Sequence, residues 1–196
     1  MKPSNRINYD GELYLYSSFL SSSEASHYFS LLLSALAWKE ETIKIYGKQV
    51  KVPRLVCWYG DVDAHYRYSG IDHEPLPWTQ ELAELRDKIS TYTGYDFNSV
   101  LANLYRNQND SMGWHSDKEK ELGEKPTIAS LSLGETRLFK LQHKKTKEII
   151  DVELQSGDLL MMEGNIQQYW RHSLPKSKIK LSARINLTFR RINVNS

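Results

Sequence analysis

The chain has 196 residues, with 26 Lys and Arg against 24 Asp and Glu, 40% hydrophobic residues and a single cysteine. This is the make-up of a soluble globular protein with a core of its own. A lone Cys57 excludes an intrachain disulfide; the longest apolar run, residues 30–38, excludes a helical membrane span; and a net charge of +2 does not by itself mark a nucleic-acid binder. One domain and a monomer are expected. The N-terminus has no signal-peptide core or cleavage site, which points to the cytoplasm, a reducing compartment in keeping with the lone thiol, and weakly to a bacterial one.

In chain order, Leu13 to Leu20 reads as a short strand, and Ser21-Ser22-Ser23-Glu24 supplies an N-cap for apolar positions at helical spacing through Trp38. Residues 42–52 alternate around Gly47 as a hairpin with Tyr46 at its tip. The apolar stretch Leu55-Val56-Cys57-Trp58-Tyr59 reads as a buried strand. A second amphipathic helix runs from Pro77-Trp78 to a Gly94 C-cap, with Leu82, Leu85 and Ile89 on one face. Beyond Phe97 come strands and turns: Val100 to Arg106, Thr127 to Leu133, Thr136 to Gln142, Glu148 to Leu154, Asp158 to Met162 and Lys180 to Arg191. Two early helices followed by many short strands predict an α+β protein built on a sandwich or jelly roll.

His115-Ser116-Asp117 puts two metal-ligand types at i and i+2, on one side of an extended strand. His172 offers a third, 57 residues later. Two histidines and a carboxylate make the facial set of non-haem iron(II) oxygenases, leaving positions open for co-substrate and oxygen. Alone, a His-X-Asp tripeptide is a weak signal. Further on, Arg184, Asn186, Thr188 and Arg190 alternate strictly with Ala183, Ile185, Leu187 and Phe189. Periodicity alone reads this as a strand showing its polar face to water. In a jelly roll the same face can turn inward, where two arginines would match a dicarboxylate such as 2-oxoglutarate. Asn103 and Tyr105 share one face of their strand and extend that pocket. Basic residues also gather in Lys39 to Arg54, Lys140 to Lys147 and Arg171 to Arg191, interleaved with Tyr46 and Trp170, a pattern that serves either phosphates and bases or a solvated surface.

These residues resemble the AlkB-type iron(II)- and 2-oxoglutarate-dependent nucleic-acid dioxygenases, on the branch of the human DNA-repair members. The resemblance is carried by Asn103-Leu104-Tyr105, Gly113-Trp114-His115-Ser116-Asp117, the run from Ile128 to Gly134, His172-Ser173-Leu174-Pro175 and the run from Arg184 to Arg190, with Pro53-Arg54 and Tyr59-Gly60, and extends from about Tyr46 to Ile192. It implies a double-stranded β-helix (jelly-roll) core over about 99–192, with N-terminal helices and a nucleotide-recognition hairpin lid over about 1–98. It further implies iron(II) on His115, Asp117 and His172, the distal carboxylate of 2-oxoglutarate on Arg184, the end near the metal on Arg190, and hydrogen bonds from Asn103, Tyr105 and Asn186. With O2 as the other co-substrate, N-alkylated bases such as 1-methyladenine and 3-methylcytosine in DNA are restored, releasing succinate, CO2 and formaldehyde.

Tyr66-Arg67-Tyr68-Ser69-Gly70 resembles the family's substrate lid, so Tyr66, Tyr68 and Ser69 are expected at the base, with Tyr68 stacking on it and Glu119 facing a cationic ring. Tyr46 stands where a duplex-preferring member has an aromatic wedge, and Arg54 is expected near phosphate. Lys118 is a departure, since that relative has an acid there. Other readings remain: an RNA demethylase, a hydroxylase of protein or small molecules, a jelly-roll binding module without catalysis, and, less apt for this ligand set, a zinc hydrolase.

Overall fold

The structure is a computed structural model that describes residues 2–45, 48–64, 66–68 and 71–193. In chain order the elements are β1 (Glu12–Tyr16), α1 (Ser22–Ala35), β2 (Lys39–Ile45), β3 (Lys48–Gly60), β4 (Tyr66–Tyr68), β5 (Ile71–His73), α2 (Gln80–Thr93), β6 (Ser99–Tyr105), β7 (Met112–His115), β8 (Ile128–Gly134), β9 (Arg137–His143), β10 (Ile149–Leu154), β11 (Leu159–Glu163), α3 (Ile166–Tyr169), β12 (Trp170–Leu174) and β13 (Arg184–Arg190). A seven-stranded sheet runs β1-β11-β8-β13-β6-β3-β2, a four-stranded sheet runs β10-β9-β12-β7, and β4 pairs with β5. This is the expected α+β jelly roll.

The helices form where the capping chemistry directs. Ser21 and Glu24 make a reciprocal capping box at the start of α1. Thr79 caps α2, and Gly94, at φ 77°, ends it in the left-handed conformation that glycine adopts without a Cβ clash. Several boundaries fall short of expectation: the last strand starts at Arg184, not Lys180, and α2 at Gln80, after its Thr79 cap. The first strand stops at Tyr16 because the chain turns at Ser18, φ 52°, where the backbone N–H donates to Asp158. Helix α1 stops at Ala35, with Leu36 already extended.

Both helices pack on the outer face of the larger sheet. Ala25, Leu32, Leu82, Leu85 and Ile89 meet Ala102, Leu104, Leu131, Leu133, Ile185, Leu187 and Phe189 in one buried cluster. A second cluster fills the space between the sheets, where Leu13, Leu15, Ile128, Leu160 and Met162 meet Phe139, Leu141, Val152, Leu154 and Trp170. β13 lies at the centre of the larger sheet, between β8 and β6, and all seven of its residues are buried. Its apolar side belongs to the helix-facing core, so its polar side looks into the molecule. That settles the ambiguity left by the alternation.

Candidate active site

Strand register assembles the site. Arg184 lies opposite Tyr105, and Asn186 lies opposite Asn103 on one side and Ser132 on the other, while Thr188 faces Ser130. Directly opposed residues share a face, so these polar side chains join in one interior wall. Across the gap, β7 and β12 pair with His115 opposite His172. Asn103, Tyr105, His115, Asp117, His172, Arg184, Asn186 and Arg190 all line one cavity of about 50 Å³, closed on its apolar sides by Leu101, Met112, Phe139, Met162 and Leu174.

His115, Asp117 and His172 each present a ligand atom, and these atoms lie within 4.8 Å of one another. His115 Nδ1 is 2.9 Å from the Gly113 carbonyl. A carbonyl only accepts, so Nδ1 carries the proton and Nε2 is left with its lone pair. His172 packs against Phe139, with ring centroids 5.3 Å apart. Burial first, then repulsion from His115, holds its pKa down at about 3, so it is a neutral imidazole at neutral pH. Burial alone would raise the Asp117 carboxyl, but Arg190, His172 and His115 outweigh it and hold the group well below the usual carboxylate range. Arg190 donates to Asp117 Oδ2 through Nη2 at 2.8 Å and Nε at 3.2 Å.

At the other end of the wall Arg184 is 1% exposed. Its Nη2 donates to Ser132 Oγ at 2.9 Å, its guanidinium stands 5.4 Å from the Tyr105 ring centroid, and its Nε is buried without a hydrogen-bond partner. Burial lowers its pKa to about 10, with Tyr105 opposing and Arg137 adding to the fall. A buried cation with an idle donor is costly. A carboxylate offsets both the charge and the donor. Between the two arginines, Asn186 donates to Ser130 Oγ at 2.8 Å and accepts from Thr188 at 3.0 Å.

The positions expected to touch a base are more scattered. Arg54 is buried and donates from Nε to Asn103 Oδ1 at 2.6 Å, bracing the pocket wall from β3. Glu119 is half-buried, and its Oε2 has no partner. Tyr66 and Tyr68 lie on β4, opposite His73 and Ile71. Tyr46 and Ser69 lie outside the described residues.

Several contributors carried no sequence signal. Gln167, from the one-turn α3, accepts the Asp117 backbone N–H at 3.0 Å, and Ser116 Oγ donates to the Trp170 carbonyl at 2.9 Å. Arg137 donates to the carbonyls of Asp110 and Pro175 and stands over Tyr105 from the side of β9. Thr188 was legible only as a member of a polar alternation, and Ser130 and Ser132 only within the run from Ile128 to Gly134.

The family model described as "2OG-Fe(II) oxygenase superfamily" matches residues 12–190. The chain belongs to that superfamily. Within it, relatives place the chain among the AlkB-type dioxygenases. Human "Alpha-ketoglutarate-dependent dioxygenase alkB homolog 3" is 40% identical over 188 residues, 91% of this chain and 65% of the relative. Mouse "DNA oxidative demethylase ALKBH2" is 40% identical over 158 residues, 76% of this chain and 66% of the relative, and its Arabidopsis thaliana namesake is 30% identical over 94% of this chain and 67% of the relative. The chain thus spans a little under two thirds of the length of the alkB homolog 3 relatives it matches. A solved structure titled "The structure of OsALKBH1" superimposes with a TM-score of 0.65 at 17% identity, over 96% of this chain and 100% of that one, a likeness of fold.

Family membership brings iron(II) as cofactor and 2-oxoglutarate and O2 as co-substrates. The residues present fit them: a mixed nitrogen and oxygen donor set suits iron(II), and the idle Arg184 Nε suits a carboxylate. Among the described residues no helix is long and apolar enough to cross a membrane.

Proposed function

We propose that the chain is an oxidative dealkylase of nucleic-acid bases, with N-alkylated DNA as its substrate, acting as a single domain. The observation that carries the reading is the inward polar face of β13, which ends in Arg184 with its unpartnered Nε and in Arg190 beside the His115, Asp117 and His172 group.

In this reading His115, Asp117 and His172 hold iron(II). Arg184 takes the distal carboxylate of 2-oxoglutarate, Arg190 steadies both Asp117 and the end near the metal, and Asn103, Tyr105 and Asn186 orient the chain between them. The chemistry supplied by the bound cofactor is oxidative: 2-oxoglutarate and O2 are converted to succinate and CO2, and an N-alkyl carbon is hydroxylated, a methyl group then leaving as formaldehyde. Apolar Met112, Phe139, Met162 and Leu174 keep bulk water from that end of the cavity. Reaching such a carbon in a duplex requires the base to be flipped out, which costs least where alkylation has already broken its pairing. In the same reading Tyr68 stacks on that base, Glu119 faces its positive charge, Tyr66 and Ser69 contact the substrate and Tyr46 fills the gap in the duplex, while Arg54 acts on the substrate side only through its hold on Asn103. Relatives support the substrate: those at 39–40% identity over 76% of this chain are called DNA oxidative demethylases.

Formaldehyde and succinate release with iron(II), 2-oxoglutarate and ascorbate, on matched single- and double-stranded DNA containing 1-methyladenine or 3-methylcytosine, tests this. Stoichiometric formaldehyde with restored base is expected. Succinate without restored base would keep the oxygenase and overturn DNA as substrate, sending the search to RNA or protein.

A further inference from the structure

One group of charges is used by neither the metal set nor the co-substrate wall. Trp114 and Arg171 each neighbour a metal-site histidine in the chain, His115 and His172. Alternation along a strand sends their side chains out by the opposite face of β7 and β12. Arg171 stands 5.2 Å over the ring of Trp114, which is 38% exposed, and both its Nε and Nη2 donate to Gln142 Oε1. Lys144, on the turn after β9, donates to the Gln167 and Gln168 carbonyls at 2.8 and 3.0 Å. Its ammonium is pushed down to about 8 by burial and by the two cations beside it, Lys118 and Arg171. Like charges held together raise the free energy of the fold unless something answers them. Among the described residues no carboxylate pairs with Lys118, Lys144 or Arg171. The acids that next follow Lys144 in the chain are taken elsewhere, Glu148 by the Tyr9 hydroxyl and Asp151 by Lys140.

Strand register sets Arg171 opposite Gln142, two residues before Lys144, and Gln167, whose carbonyl accepts from Lys144, also accepts the backbone N–H of Asp117, the neighbour of Lys118; the two carbonyls on Lys144 explain why that residue is held, but not why three cations share this corner. An anion explains all three. The partly exposed Trp114 ring beside them, with Arg171 over one side, adds a second requirement, a flat apolar group next to the anion, and a nucleotide carries both. We propose that Lys118, Lys144, Arg171 and Trp114 form a phosphate-binding site for a nucleic-acid strand, with a base against the Trp114 ring. The proposal rests on the nucleic-acid reading of the active site and extends it to a named contact surface. Arg171 supplies the end of its guanidinium, its Nε side being held by Gln142, Lys118 an exposed point charge, and Lys144 the fixed charge beneath them.

The test is binding of a short fluorescein-labelled oligothymidylate, free of any lesion, to the iron-loaded chain across a potassium chloride series. Lys118→Ala and Arg171→Ala are each expected to flatten the plot of log affinity against log salt by about 0.7, the value for one phosphate contact on a single strand. Lys88→Ala, which removes one charge on α2, is expected to leave the slope unchanged. Trp114→Phe should diminish the tryptophan quenching that accompanies binding. Lys118 is exposed, so Lys118→Ala reads out even if Arg171→Ala fails to fold. Formaldehyde release on methylated DNA is measured with the same preparations. Unchanged slopes in both variants, or no salt-dependent binding by the parent, would overturn the site whatever the dealkylation result. Flattened slopes in a chain that releases no formaldehyde would uphold the site and overturn the dealkylase reading.

Discussion

Single side chains at this site are held by partners whose loss has separate signatures. Gln167 fixes the Asp117 backbone through one hydrogen bond of 3.0 Å. Supporting contacts of this kind are worth about 10- to 100-fold in metal affinity. Gln167→Leu is therefore expected to weaken iron(II) binding by about tenfold or more in a metal titration and, by leaving the buried Asp117 N–H unpaired, to lower the melting temperature by about a few degrees. A fully retained affinity would show that Asp117 needs no such support. Cys57 reports on the core: burial pushes its thiol up to about 12. The thiolate is the reactive form, so the native chain should resist iodoacetamide at pH 8 and react only once unfolded, as mass spectrometry would read. Residue types were legible in the sequence because His-X-Asp and the alternating arginines have local spacing. Distances between them were not. His172 meets His115 only through the pairing of β12 with β7, and Gln167 arrives from a turn with no periodic signature.

At the scale of elements, β13 was the most legible because a period of two over seven residues survives burial on both sides. The helices were legible through Ser21, Glu24 and Gly94. Strand β12 and α3 were not foreseen, because residues 166–174 have neither strand alternation nor the length of an ordinary helix. The cap of α1 gives a pH test. Lys88 first, then Ser21, hold the Glu24 carboxyl down at about 2, against 4.5 ordinarily. A depressed folded-state value means that the contribution is fully present above about pH 4.5 and is lost as pH falls toward 2. Glu24→Gln should thus lower stability at neutral pH and flatten the acid limb of stability between those values, as thermal melts across pH would show. Parallel acid limbs in parent and variant would remove Glu24 from the cap energetics. Within β13, Leu187 is fully buried against the helices, and Leu187→Ala should cost about 2–5 kcal/mol in chemical denaturation.

Over the whole molecule, the larger sheet draws β1, β2 and β3 from the first 60 residues and joins them to β11 and β6 from the second half. Helices, sheet and cavity are thereby layers of one packing unit: the face of β13 that anchors the helices fixes the direction of the face that holds Arg184 and Arg190. Unfolding is expected as a single cooperative transition, with far-ultraviolet dichroism and tryptophan fluorescence coinciding. Two separated transitions would place the first 98 residues in a unit of their own. The same geometry gives the site its polarity, with His115 and His172 on the smaller sheet, Asp117 just beyond the end of β7, and Arg184 and Arg190 on the larger sheet.

Calorimetric titration of 2-oxoglutarate into the iron(II)-loaded chain, with oxygen excluded, tests that division of labour in the parent and in Arg184→Gln. One equivalent should bind to the parent, and the variant should bind about 10- to 100-fold more weakly, about 1.4–2.8 kcal/mol, with metal content unchanged. Equal affinity in the two proteins would contradict the placement of the co-substrate between β13 and the His115, Asp117 and His172 group.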